Sequence, residues 1–155
     1  MAHGELIFKD GTKYIGGIKN GHFHGKGSIK FPDQEIEGEF KEGEWHGHFF
    51  IKHLDEDPPY TFEGLYMHDK MNGFGINKYS DGSSMYSEYR DDQINGFCLN
   101  LWPKGLFPEE SKIGFKNDEQ VAFNPFKDGL GDGPCIRIYN NQSKAVKLTC
   151  FESSD

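Results

Sequence analysis

Seven histidines and three cysteines carry the most obvious chemistry in this chain. His22-Phe23-His24 and His46-Gly47-His48 each hold two imidazoles two residues apart, which raises a zinc site first. A structural zinc shell takes four ligands, and no carboxylate cluster accompanies these pairs to complete one. No metal and no other cofactor is therefore expected; the histidines are expected to pack and hydrogen-bond at turns. Cys98, Cys135 and Cys150 are odd in number and lack Cys-x-x-Cys spacing, so neither a disulfide framework nor a cysteine zinc site follows. Gly-x-Ser-x-Gly, a Walker loop and a glycine-rich loop opening a helix are all missing. Asp55-Glu56-Asp57 runs into Pro58-Pro59 and reads as a solvated loop. No catalytic residue is assigned and no enzyme activity is expected.

Composition limits the partners. The 155 residues suit one domain, and 35% hydrophobic content with 20 glycines leaves no thick two-layer core. The 14 phenylalanines and 7 tyrosines must carry much of the burial. A formal charge of −8 sets nucleic acid aside as a ligand, because that binding needs a basic footprint. No apolar run approaches the ~20 residues of a membrane-spanning helix, and Met1-Ala2-His3-Gly4 opens into repeat-like sequence without a signal peptide. An intracellular, cytoplasmic, reduced protein is the expectation, in which the sequon Asn141-Gln142-Ser143 goes unused.

The elements that position the histidines are repeats. Tyr14 to Gly27 aligns with Ile36 to Phe49, and again with Phe62 to Gly75; the equivalent glycines Gly25, Gly47, Gly73 and Gly96 are separated by 22, 26 and 23 residues. A period near 23 marks stacked supersecondary units. Each unit alternates with period two about a short turn such as Asn20-Gly21, which predicts a β-hairpin. Tyr14, Gly16 and Ile18 share one face with Gly25, Gly27, Ile29 and Phe31, the glycines leaving room for large side chains. Two aromatic slots recur and predict two ladders. One is Ile18, Phe40, Tyr66, Tyr89 and Phe126; the other is Phe8, Phe31, His53, Tyr79, Trp102 and Tyr139. Asp10-Gly11 and Asp81-Gly82 join hairpins by tight turns.

The pattern aromatic-x-Gly-x-aromatic-x-x-Gly-x-x-His-Gly-x-Gly, closed by Asp-Gly, resembles the MORN repeat (membrane occupation and recognition nexus). The match is close in Tyr14 to Gly27 and Phe62 to Gly82, and looser in Ile36 to Gly47. From Met85 to Cys98 it weakens, with Ser87, Asp92 and Cys98 in glycine slots; Phe126 to Cys135 keeps the spacing with Asp132 in the histidine slot. The resemblance implies an all-β fold, an elongated, single-layer, twisted antiparallel sheet of stacked hairpins. As one domain, 1–155, it divides into a half unit 2–13, units of about 14–35, 36–61, 62–84 and 85–102, an irregular insertion 103–121, a degenerate unit 122–143, and a capping strand with acidic tail 144–155. Gly96 to Gly133 is 37 residues, 14 beyond the period, which places the insertion; Pro103, Pro108 and Pro125 discourage a continuous ladder there.

The resemblance also implies a non-enzymatic scaffold or adaptor presenting a groove to a protein, at a cytoskeletal or ciliary structure. The candidate contact rings are Tyr14, Phe40, Phe62, Tyr66, Tyr79, Tyr89 and Trp102, gripping an extended or helical segment, unless hairpin packing uses them. On the opposite face Leu65, Met67, Phe74, Ile76, Phe97, Leu99 and Leu101, with Tyr86, Ile136 and Ile138, form an apolar patch too large to leave wet. Either Leu106, Phe107, Ile113 and Phe115 of the insertion cover it, or a partner or second copy does, making a homodimer. Lys19, Lys26, Lys30, Lys41 and Lys52 are candidate contacts to anionic lipid headgroups, interrupted by Glu37 and Glu39. A phosphoinositide-associated targeting module, or a regulatory repeat domain of an enzyme complex, is the alternative reading.

Overall fold

The computed structural model describes residues 2–103, 119–139 and 147–151. Among them every element is a strand. The first four are β1 (Ala2–Ile7), β2 (Lys13–Lys19), β3 (His22–Lys30) and β4 (Gln34–Lys41). Next come β5 (Glu44–His53), β6 (Tyr60–Met67), β7 (Lys70–Tyr79), β8 (Ser84–Arg90) and β9 (Gln93–Leu101). The chain closes with β10 (Glu119–Lys127), the short β11 (Leu130–Gly131), β12 (Gly133–Tyr139) and β13 (Lys147–Phe151). They form one open antiparallel sheet in which sequence neighbours are spatial neighbours, except that β11 pairs only with β10. The expected all-β array of stacked hairpins is what the chain builds.

The repeat is visible in the register. Gly25, Gly47, Gly73 and Gly96 sit opposite Phe40, Tyr66, Tyr89 and Phe126 of the next hairpin. Each of these glycines lies at a bulge where the pairing slips within its own hairpin, as between Gly16 and Ile18. Their φ angles of 73°, 117°, 94° and 124° explain the residue type, since a Cβ is disfavoured there.

The hairpin tips are two-residue turns with positive φ at both positions, the type that matches strand twist. Asn20-Gly21, Glu42-Gly43 and Asp128-Gly129 use glycine second; His68-Asp69 and Asp91-Asp92 do not. Those aspartates offset their backbone strain by bonding the preceding hairpin. Asp69 Oδ1 accepts from Trp45 N at 2.8 Å, and Asp92 Oδ1 from Met71 N at 2.8 Å. The second tip residue also donates its N–H backwards, Gly43 to Phe23 O at 2.9 Å and Gly129 to Ile94 O at 2.9 Å. At the other ends, Asp10 Oδ1 accepts from Thr12 N at 2.9 Å and Asp81 Oδ1 from Ser83 N at 2.7 Å, closing the Asp-Gly turns. The bonds from Thr12 hold the Asp10 carboxyl below its ordinary pKa.

One face of the sheet holds the core: Tyr14, Ile29, Ile36, Phe40, Phe49, Ile51 and Phe62 are buried there. A single layer buries rings by laying them over glycines. A Cβ on Gly27 would stand 2.7 Å from the Tyr14 ring, and one on Gly75 would stand 2.8 Å from Phe62. In the second hairpin the arrangement is inverted. Ile36 takes the place of Tyr14, and Phe49, standing in the glycine slot, lays its ring over Gly38.

Three expectations need correction. Neither aromatic slot forms a continuous ladder by itself. One slot recurs only on every second strand, about 9.6 Å apart, so the intervening strand must supply the linking ring. Phe49 and Trp45 bridge towards Tyr66 at 5.2 and 5.0 Å, and Tyr60 lies between His53 at 4.2 Å and Tyr79 at 5.6 Å. The insertion is shorter than 103–121, because β10 already begins at Glu119. Pro125 does not interrupt the ladder: it pairs with Phe97, and its carbonyl accepts from Asp132 N at 2.9 Å, so only a donor is forgone.

Candidate binding surfaces

The glycine face divides the candidate contact rings into two sets. Tyr14, Phe40 and Phe62 are 0%, 3% and 5% exposed and belong to the core, so they offer a partner no surface. Tyr14 also spends its hydroxyl internally, donating to Gly17 O at 2.8 Å. Tyr66, Tyr79, Tyr89 and Trp102 are half-buried, and Tyr66 and Tyr89 pack against the core. Four more half-buried groups join them: Phe23, Trp45, Met71 and Tyr60. The first three were findable, because each stands two residues after a tip turn, as Ile94 does.

Four tyrosines gather here with shifted hydroxyls. Burial is the largest cause for each; it pushes Tyr66 up to about 12, with Asp92, Tyr89 and Tyr60 adding to it. Burial likewise raises Tyr60, with Glu56 and Asp55 next, and raises Tyr79 and Tyr89. All four therefore remain neutral donors at physiological pH, on rings with one side sheltered. Such a surface suits an apolar segment that also offers carbonyl acceptors.

The opposite face changes along the sheet. Across β3 and β4, Lys26 opposes Glu39 and Lys30 opposes Glu35. Lys30 and Lys52 both reach Glu35, at 2.7 and 3.3 Å, and hold its carboxyl below the ordinary range. His48 meets Glu63 at 3.1 Å and Lys13 meets Glu5 at 2.5 Å. The lysines considered for lipid headgroups are thus interleaved with carboxylates, with Lys19 and Lys41 set apart near the tips. Further along, the face turns apolar: Leu65, Met67 and Phe74 are 43%, 52% and 62% exposed. Ile76, Tyr86, Phe97, Leu99 and Leu101 are half-buried, and Phe97 stands 5.9 Å from Phe74 and 6.0 Å from Phe123. Leu106, Phe107, Ile113 and Phe115, and the side chains of Ile136 and Ile138, lie outside the described residues.

His24, His46 and His68 sit where hairpin tips meet. His24 Nδ1 accepts from Glu42 N at 3.4 Å, Asn72 Oδ1 from Asp91 N at 3.3 Å, and Asn95 bonds Asp128 at 2.8 Å. His46 packs 5.5 Å from His68, whose Nδ1 lies 2.7 Å from Glu44. The histidine slot thus joins one tip to the next. Among the described residues no three His, Cys, Asp or Glu side chains converge as metal ligands.

Hairpins of one register, latched at their tips and roofed over paired glycines, match a family model. The MORN repeat model matches residues 14–35, 37–48 and 62–84. Residues 14–84 carry MORN repeats. MORN repeats are non-catalytic modules that bind proteins or membranes. The matched segments are the hairpins whose glycine face is most completely packed; the tyrosine cluster and the apolar patch extend past them. No curated protein matches the chain. Among the described residues no helix is long and apolar enough to cross a membrane.

Proposed function

We propose that this chain is a protein-binding scaffold whose partner lies along the glycine face, over Tyr66, Tyr79, Tyr89 and Trp102. The observation that carries the reading is their shared condition: all four are half-buried, and Tyr66 and Tyr89 pack against the fully buried core. Rigid aromatics of this kind gain most when a partner closes over them, because little side-chain freedom is lost. A helical or extended segment from a cytoskeletal or ciliary protein fits a long open sheet, and the chain acts there without catalysis.

The test is affinity capture with mass identification, comparing the wild type with Tyr79→Ala/Tyr89→Ala and with Phe74→Ser on the opposite face. The tyrosine variant is expected to lose its specific partner while keeping a cooperative melt, and Phe74→Ser to retain it. Loss confined to Phe74→Ser would move the interface to the apolar patch and end this reading.

A further inference from the structure

β1, at one edge of the described sheet, is built as one half of a hairpin. Gly4 pairs with Gly16 as Gly27 pairs with Gly38, and Leu6 pairs with Tyr14 as Ile29 pairs with Ile36. β1 therefore stands in the second-strand position of a unit. On its far side no described strand pairs with it.

Its side chains record the difference. In the hairpins β2–β3 and β6–β7 the second-strand glycine lies under an aromatic ring of the first strand, Tyr14 over Gly27 and Phe62 over Gly75. At Gly4 a Cβ would find only Ile18 Cδ1, at 3.2 Å, within 4 Å. Leu6 is 40% exposed where its counterparts Ile29 and Ile51 are 8% and 5% exposed, and Phe8 is 45% exposed. Edge strands are commonly protected by proline or lysine; Ala-His-Gly-Glu-Leu-Ile carries neither.

We propose that this edge takes an antiparallel strand from a partner protein, one carrying an aromatic residue two positions before a glycine. The hairpin register fixes the fit. The partner's glycine faces Gly4 as Gly16 faces Gly27, and its aromatic residue faces Leu6 as Tyr14 faces Ile29, laying the ring over Gly4. Main-chain bonds supply the affinity of such strand addition, and the glycine seat supplies the selectivity. This surface is separate from the glycine-face rings of the later hairpins, so the two readings stand or fall independently.

The probe is a synthetic peptide copying Lys13–Lys19, which has the tyrosine and glycine at this spacing. Titrated into the 15N-labelled chain, it is expected to shift amides of β1 saturably. A peptide with Tyr14→Ala is expected to bind at least tenfold more weakly, a control that leaves the protein unaltered. Gly4→Val in the protein is expected to remove the response while the shifts of β5 to β7 stay in place. The proposal is overturned by silent β1 amides, by equal binding of both peptides, or by a mass that doubles with concentration while β1 amides broaden, which would give the edge to a second copy.

Discussion

The early hairpins bury their apolar side chains on the glycine face, and the later ones expose apolar surface on the opposite face as well. From β2 to β6 the glycine face is roofed by Tyr14, Phe40, Phe49 and Phe62, while across β3 to β5 the other face carries paired Lys, Glu and His side chains. By β8 and β9 the buried glycine-face positions are Ser87 and Cys98, and the opposite face carries Phe74 and Phe97. Equivalent positions make the exchange explicit: Gly16, Gly38 and Gly64 become Ser87, and Gly27, Phe49 and Gly75 become Cys98. Without a ring to seat, the later unit has no use for a glycine beneath it. The backbone frame repeats, but the core does not, and binding surface emerges where the core thins.

The sharpest way to break this contrast is to delete side chains from one slot in both regions. Phe49→Ala removes a fully buried ring that roofs Gly38 and touches Phe40, Trp45 and Tyr66. It is expected to cost about 3–5 kcal/mol in urea unfolding. Cys98→Ala, in the same slot of the later hairpin, is expected to cost about 1 kcal/mol. Equal losses would mean that both regions share one core, and the comparison would fail. A smaller effect is expected from filling a seat. Gly27→Ala forces the Tyr14 ring aside and is expected to cost about 1–3 kcal/mol, whereas Gly131→Ala, with nothing near its Cβ position, should change stability by less than about 0.5 kcal/mol.

How much of this was legible in the sequence follows from what a repeat encodes. Spacing of Gly25, Gly47, Gly73 and Gly96 fixes register, because each must meet the next hairpin's slot residue, and Asp10-Gly11 and Asp81-Gly82 name their turns by residue type. Burial depends on neighbours two strands away, and no local pattern carries it. Phe40 and Tyr89 occupy the same slot in sequence, yet one is buried among the rings of Tyr14, Phe23 and Phe49 and the other is half-buried. The inversion of Ile36 and Phe49 was visible as a pair of mismatches, but only the coordinates show that each compensates the other. The tip latches joined hairpins through Asp69 and Asp92, which look in sequence like departures from a glycine rule.

The subtlest effect belongs to the junction where the core gives out. Tyr66 keeps its proton up to about 12 in the fold, against an ordinary 10.0, because burial disfavours the phenolate and Asp92 opposes it further. Between those two values the unfolded chain has released this proton while the folded chain still holds it. The stabilisation is therefore fully present below about pH 10 and is lost as pH rises towards 12. Tyr66→Phe has no proton to lose, so its urea midpoint should fall less between pH 9.5 and about 11.5 than that of the wild type. Tyr60, Tyr79 and Tyr89, raised in the same direction, keep the remaining slope from vanishing. Identical slopes in the two proteins would show that the Tyr66 hydroxyl is as wet as in the unfolded chain, and that the sheltered edge of the tyrosine surface has been placed one hairpin too early.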